Sequence, residues 1–278
     1  MRLIWTTDLH LDHTAELNRL RWIQSIASQP ADGVVITGDI SEGDDVIAQL
    51  RHLENSLSVP IFFVLGNHDF YHGSIGTTRQ RVVHAVRETG NLHYLTDTGT
   101  IVLGDEPLVT LVGEDGWGDA SEGNYEDSPI ELKDFRLIED FQRTDSSTWK
   151  QQLNRLGAEA AARLQVKLES ISPAVRQVII ATHVPPFREA CWYEGKTTDE
   201  NWAPFFVCGQ LGKMLLSHTV RHPHQQFTVL CGHTHHEGTA KLSDNLIVHT
   251  GAANFCFPKI EGTIVANSDG VSLKRHDQ

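Results

Sequence analysis

The chain has 278 residues, 40% of them hydrophobic, enough for one large α/β domain with a substantial core or for two small ones. Its formal net charge of -13 disfavours a nucleic-acid partner, because binders of a phosphate backbone present a basic patch or stripe, and no apolar run approaches the roughly 20 residues of a membrane span. Four cysteines, Cys191, Cys208, Cys231 and Cys256, form no CxxC pair, which argues against a zinc knuckle or disulfide framework and predicts reduced, mostly buried thiols.

Residues 2–6 read as a first strand, and residues 15–28 place Leu17, Leu20, Ile23 and Ile26 at helical spacing before Pro30, so the chain opens with a βα unit. Asp8 and His10 follow that strand directly. This leaves no space for a secretion signal and predicts a cytoplasmic protein. Continuous apolar runs at 33–37 and 61–65, with a helix expected over 45–55 between them, have the pattern of strands covered on both faces. Gly38-Asp39 follows the first run and Gly66-Asn67-His68-Asp69 the second. Alternation of this kind implies a parallel or mixed sheet.

A further helix is expected over 77–89, then short strands at 92–95, 100–103 and 108–112. Periodicity fades from Gly113 to Thr144. Acidic residues between Glu114 and Asp145, among them Asp115, Asp119 and Asp134, far outnumber basic ones, and a solvated surface excursion is the expected reading. A long helix over 147–170 stops at Ser172-Pro173, and a strand over 178–182 delivers His183. Because proline lacks the ladder donor, Val184-Pro185-Pro186 ends that strand and leaves His183 facing a loop.

The loop around 187–206 carries Trp192, Tyr193, Trp202 and Phe205. These rings could wall a pocket and stack on a nucleoside, although core packing or loop anchoring is the expected role of any one of them. A helix over 205–217 and a strand over 226–231 follow, the latter leading into Gly232-His233-Thr234-His235. Strands at 245–250, 262–266 and 271–275 complete the chain, with Asn267-Ser268-Asp269-Gly270 as the last turn.

Each ligand-rich cluster thus stands at the end of an apolar strand, where carboxylate, imidazole and amide oxygen could converge on divalent cations. Since the clusters run from Asp8 to His235, convergence argues for one domain over residues 1–278. A carboxylate at Asp39 could bridge two ions through its two oxygens. His13, His72 and His236 lie beside the clusters and are expected to support them or face solvent.

As an ordered set, Asp8-x-His10, Gly38-Asp39, Gly66-Asn67-His68-Asp69, Thr182-His183 and Gly232-His233-Thr234-His235 resemble the calcineurin-like metallophosphoesterase superfamily from Asp8 to about Gly251. The resemblance implies an α/β fold, a four-layered α/β/β/α sandwich of two mixed sheets flanked by helices. It implies one metal ion on Asp8, His10, Asp39 and His235, and a second on Asp39, Asn67, His183 and His233. It also implies that His68 faces the substrate and stabilises the transition state or protonates the leaving oxygen. In the protein serine/threonine phosphatase branch an aspartate three residues after the shared one assists that histidine; Glu42 occupies the position here and is expected to hold the His68 tautomer.

Two divalent ions, offset by the carboxylates of Asp8 and Asp39 and a bridging hydroxide, would leave a net charge of about +1, attractive to an anionic ester. Such ligands accept manganese, iron, zinc, nickel or magnesium, with manganese or iron favoured. The Gly38 to Asp44 stretch lacks the Asp-Arg-Gly ending of the protein phosphatase branch, and Asp69 stands where that branch has glutamate. The bacterial phosphodiesterase and phosphatase-like branch is closer, so a small phosphorylated or nucleotide substrate is expected.

Three alternatives compete. His233-Thr234-His235-His236-Glu237 approaches the metallo-β-lactamase signature, but that signature needs Asp-His where Glu237-Gly238 stands. A non-catalytic metal-binding scaffold on the same fold conflicts with the presence of every ligand position and of His68, and a nuclease with the acidic balance.

Overall fold

The computed structural model describes residues 1–104, 109–267 and 270–276. In chain order the first half contains β1 (Arg2–Thr6), α1 (Glu16–Ala27), β2 (Gly33–Thr37), α2 (Asp45–Ser56), β3 (Ile61–Val64), α3 (Ile75–Arg87), β4 (Leu92–Tyr94), β5 (Ile101–Leu103) and β6 (Val109–Gly113). Two short helices, α4 (Asp134–Leu137) and α5 (Glu139–Gln142), precede the long α6 (Trp149–Glu169) and β7 (Gln177–Ala181). Then come β8 (Trp192–Tyr193), β9 (Lys196–Thr197), α7 (Ala203–Phe206), α8 (Gly209–Arg221), β10 (Gln226–Cys231), β11 (Gly238–Ser243), β12 (Leu246–Thr250), β13 (Gly262–Asn267) and β14 (Gly270–Arg275).

The apolar runs become two six-stranded mixed sheets, ordered β14-β13-β1-β2-β3-β4 and β11-β12-β10-β7-β6-β5. Strands β1 to β4 are parallel, as their helical crossovers require, and β13 runs antiparallel to β1. In the other sheet β12, β10, β7 and β6 are parallel between antiparallel edges β11 and β5.

Side chains alternate across each strand and so sort into layers. Ile4, Val34, Ile36, Ile61 and Phe63 pack in one cluster with Trp22, Ile23 and Ile26 of α1 and Leu50 and Leu53 of α2. Their neighbours Leu3, Trp5, Val35, Phe62 and Val64 turn the other way, against Leu111, Ile179, Ala181 and Leu230 of the second sheet. The far face of that sheet, Val178, Ile180, Phe227 and Val229, packs on Leu164 and Leu168 of α6 and Leu211 and Leu215 of α8. The order is α/β/β/α, as the resemblance implies. Among the described residues no helix is long and apolar enough to cross a membrane.

The structure departs from expectation in several places. The helix expected over 205–217 is broken into α7 and α8, because Val207 is extended (φ -129°) and the Cys208 N–H donates to the Pro185 carbonyl at 2.9 Å. Strand β11 was not anticipated; Ala240 is its one buried residue, so it shows no apolar alternation. Of the expected strand and turn residues, Leu108, Ser268 and Asp269 lie outside the described residues.

The acidic stretch is not simply a solvated excursion. Glu114, Asp115 and Asp119 are fully buried and Asp134 is 4% exposed. Each finds donors that a linear reading cannot supply. Glu114 accepts two hydrogen bonds from Arg163, at 3.0 and 2.6 Å, and Asp119 accepts the Gln210 N–H at the start of α8. Asp115 accepts from Arg79, Tyr94 and Thr96.

Candidate metal centre

The carboxyl ends of the parallel strands in both sheets meet at one rim, and every candidate ligand stands there, where open α/β sheets place their sites. The loop after β1 carries Asp8 and His10, that after β2 Asp39, that after β3 Asn67 and His68, that after β7 His183, and that after β10 His233 and His235. Backbone hydrogen bonds lace these loops together: Asp8 N–H to the Gly38 carbonyl and His10 N–H to the Asp39 carbonyl, both 3.0 Å, and Gly232 N–H to the His183 carbonyl, 2.9 Å.

The local backbone is strained where the ligands sit. Among the described residues Asp8, His10, Asp39, His233 and His235 all have positive φ, between 42° and 70°. That left-handed region is rarely visited by residues with a Cβ, and such strain gathers at functional sites. Gly66 and Gly232 permit close approach: a Cβ at Gly66 would collide with Asp39 Oδ1 and lie 2.7 Å from His183 Nε2, and one at Gly232 would collide with Asp8 Oδ2.

The donor atoms fall into two groups that share Asp39. In the first, single donor atoms of Asp8, His10, Asp39 and His235 lie within 4.8 Å of one another, with His10 Nε2 3.3 Å from His235 Nε2, His10 Nε2 3.7 Å from Asp39 Oδ2 and His235 Nε2 3.4 Å from Asp8 Oδ1. In the second, His183 Nε2 is 3.2 Å from Asn67 Oδ1, 3.5 Å from Asp39 Oδ1 and 3.2 Å from His233 Nδ1. Ligands about 2.1 Å from a common cation stand roughly 3 to 3.5 Å apart; the four donors of the first group converge closely enough for one ion, whereas the second group converges on His183 Nε2, from which its other donors are 3.2 to 3.5 Å away. Asp39 offers Oδ2 to the first group and Oδ1 to the second.

The remaining ring nitrogens of two histidines are engaged in ways that free the correct one. His183 Nδ1 lies 2.8 Å from the Thr37 carbonyl, leaving Nε2 for a cation, and His233 Nε2 lies 3.2 Å from the Phe205 carbonyl, leaving Nδ1. Burial drives His10 down to about 4 and His233 down to about 3, so both are neutral donors near pH 7. His183 is opposite: burial alone would lower it, but the Asp39 carboxylate lifts it to about 10, so a cation binding there displaces a proton. Burial pushes Asp8 up, yet His235 and His183 hold it below the usual carboxylate range.

Three buried acids support this arrangement, and sequence reasoning gave none of them a role. Asp134 Oδ1 accepts from Asn67 Nδ2 at 2.9 Å and from the Tyr71 hydroxyl at 2.8 Å. With its NH2 fixed on a carboxylate, the Asn67 amide can only present its oxygen to His183. Asp69 accepts from the Ile40, Ser41 and Gly66 N–H groups at 2.7 to 3.0 Å, tying the Asp39 loop to the Asn67 loop. Asp115 accepts the Leu65 N–H on its side chain, at 2.8 Å, and the His183 N–H on its carbonyl, at 2.9 Å, joining the two sheets at the rim. Only Asp69, inside the Gly66-Asn67-His68-Asp69 turn, carried a sequence signal.

His68 lies on the cleft side of the same rim, its ring 4.4 Å from Tyr71 and 4.7 Å from His10. Glu42 Oε1 is 3.7 Å from His68 Nδ1, at ion-pair rather than hydrogen-bond distance, and Glu42 also faces His13 at 3.9 Å and His72 at 3.6 Å. The cleft above has a volume of about 820 Å³ and is lined by Asp39, Asn67, His68, His233 and His235 at its floor. Of the aromatic loop, Phe205 is buried in the core, whereas Trp192, Tyr193 and Trp202 line this cleft.

Comparison with known proteins bears on the fold and on the family. The fold is similar to phosphopantetheinyl hydrolase from Mycobacterium tuberculosis, with a TM-score of 0.68 and 15% identity over 91% of this chain and 89% of that one. It is similar also to a dimetal phosphatase from Danio rerio, with a TM-score of 0.62 and 16% identity over 99% and 95% of the respective chains. No curated protein matches the sequence. The sequence pattern of the calcineurin-like phosphoesterases matches residues 1–237, which span all seven candidate ligands, and the chain belongs to that family of metal-dependent phosphoesterases.

Proposed function

We propose that the protein is a dimetal phosphoester hydrolase acting on a small phosphorylated or nucleotide substrate, as a phosphodiesterase or phosphomonoesterase. The observation that carries this reading is Asp39, whose two oxygens face two separate donor groups. Asp8, His10, Asp39 and His235 would hold one ion, and Asp39, Asn67, His183 and His233 the other. Manganese or iron suits this mixture of carboxylate, amide and imidazole donors. When bound, the two cations supply the charge that makes water nucleophilic near neutral pH and that offsets the phosphoryl oxygens.

The chain's own groups do the rest. Asn67 contributes a neutral oxygen, so the site keeps its attraction for an anionic ester, which a third carboxylate would cancel. His68, with Nδ1 turned toward Glu42, has Nε2 left to give a proton to the leaving oxygen. Glu42, 3.7 Å from Nδ1, is the nearest carboxylate to that ring and fixes the tautomer once it closes to hydrogen-bond distance. Tyr71 packs against the His68 ring and, through Asp134, couples its placement to that of Asn67. The formal net charge of -13 fits a small-molecule substrate better than a nucleic acid.

The test is hydrolysis of p-nitrophenyl phosphate and bis(p-nitrophenyl) phosphate by protein stripped of metal and reloaded with manganese, iron, zinc, nickel or magnesium. Turnover of either ester that depends on the added ion is the expected result. Protein that binds ions yet hydrolyses neither ester contradicts the proposal.

A further inference from the structure

The cleft rim carries aromatic rings that no core accounts for. Phe255 stacks on His10, with centroids 4.7 Å apart and planes at 26°, and meets His235 edge-on at 5.0 Å. Tyr193 meets His236, the neighbour of His235, edge-on at 4.7 Å. Trp202 meets Phe206 at 5.4 Å, and Phe206 in turn lies 4.4 Å from His233. Phe255 is thus one ring contact and Trp202 two ring contacts from a candidate ligand, Tyr193 packs on the chain neighbour of one, and all of them line the same cleft.

Their exposure separates them from loop anchors. Phe205 is 4% exposed, whereas Tyr193 is 60%, Trp202 43% and Phe255 47% exposed. Large apolar surface kept in water at the mouth of a polar cleft marks a ligand groove. The backbone that carries two of these rings is ordered by its own bonds. Tyr193 pairs with Lys196 across a hairpin whose two connecting residues, Glu194 and Gly195, have φ of 46° and 76°, the conformation of a tight two-residue turn. Asp199 Oδ1 accepts from the Asn201 and Trp202 N–H groups at 2.9 and 3.1 Å, which fixes the start of α7 beneath Trp202. Rings pre-placed in this way bind flat groups without first having to be ordered.

Resting on the hydrolase reading, we propose that Tyr193 and Trp202 form a subsite for a planar aromatic group on the organic part of the substrate, with the reacting phosphoryl group at the cleft floor. Open π-faces accept any flat heteroaromatic ring, a nucleobase among them. A sugar phosphate or short alkyl ester would leave both rings in water.

The test is equilibrium titration of the metal-loaded protein with the hydrolysis-resistant 5′-methylenephosphonate analogues of adenosine monophosphate and of ribose 5-phosphate, which share phosphonate and sugar and differ in the base. Stacking predicts binding of the adenosine compound about ten-fold tighter in the unaltered protein. Trp202→Ala and Tyr193→Ala should each narrow that ratio to below about three-fold, and Trp202→Phe should keep most of it, since a ring rather than an indole is required. Equal affinities in the unaltered protein, or a ratio that survives both alanine changes, overturns the subsite. Ion-dependent hydrolysis of p-nitrophenyl esters by the same preparation reads the hydrolase function separately, so that function can stand where the subsite falls.

Discussion

Asp39 joins the two halves of the site, and its contacts determine what its loss should do. One oxygen faces His10, while the other lies near His183 and accepts the His68 N–H at 2.9 Å. Asp39→Ala is expected to abolish ester hydrolysis and to lower bound metal, as both donor groups lose a ligand; kinetics together with elemental analysis checks this. Asp134 acts at one remove. Asp134→Ala leaves the Asn67 NH2 and the Tyr71 hydroxyl without their acceptor and should weaken metal affinity by about 10- to 100-fold, read by calorimetric titration. Glu42→Gln should lower kcat while the Asp39 centre keeps its metal, because Glu42 faces His68, His13 and His72 and none of that centre's seven candidate ligands; unchanged turnover would remove it from the mechanism. The candidate ligands could be picked out in the sequence because metal-binding residue types end one apolar strand after another. Asp134 could not, since what distinguishes it from its exposed acidic neighbours is contact with Asn67, 67 positions away.

At the scale of elements, what keeps the rim in register is a buried charge network. Asp115 is fully buried, accepts from Arg79, Tyr94 and Thr96, and holds Leu65 ahead of the Asn67 turn. Asp115→Ala would leave Arg79 without its main partner and should cost about 3 to 5 kcal/mol of stability, measured as a lower urea midpoint at constant m-value. Elements whose identity is local were readable: strands β1, β2, β3, β7 and β10 are continuous apolar runs, and α1, α2 and α6 carry apolar residues at helical spacing. Elements that depend on a distant partner were not. Strand β11 exists because β12 offers it an edge, and the break between α7 and α8 exists because the Pro185 carbonyl captures the Cys208 N–H.

For the whole molecule, the α/β/β/α order turns distance in sequence into proximity. Parallel strands bring Asp8, Asp39 and Asn67 to one end of the first sheet and His183, His233 and His235 to the same end of the second. Metal binding should therefore tie the sheets together, so that chelation lowers the melting temperature, by an amount that grows with free-ion concentration before removal. The most direct test of the account is a count of ions. Metal-free protein titrated with manganese and weighed under native conditions should hold about two ions per chain, and Asn67→Ala about one under the same free-ion concentration. Fewer than about one ion on the unaltered chain under saturating metal would contradict the shared-carboxylate centre, and with it the hydrolase built upon it.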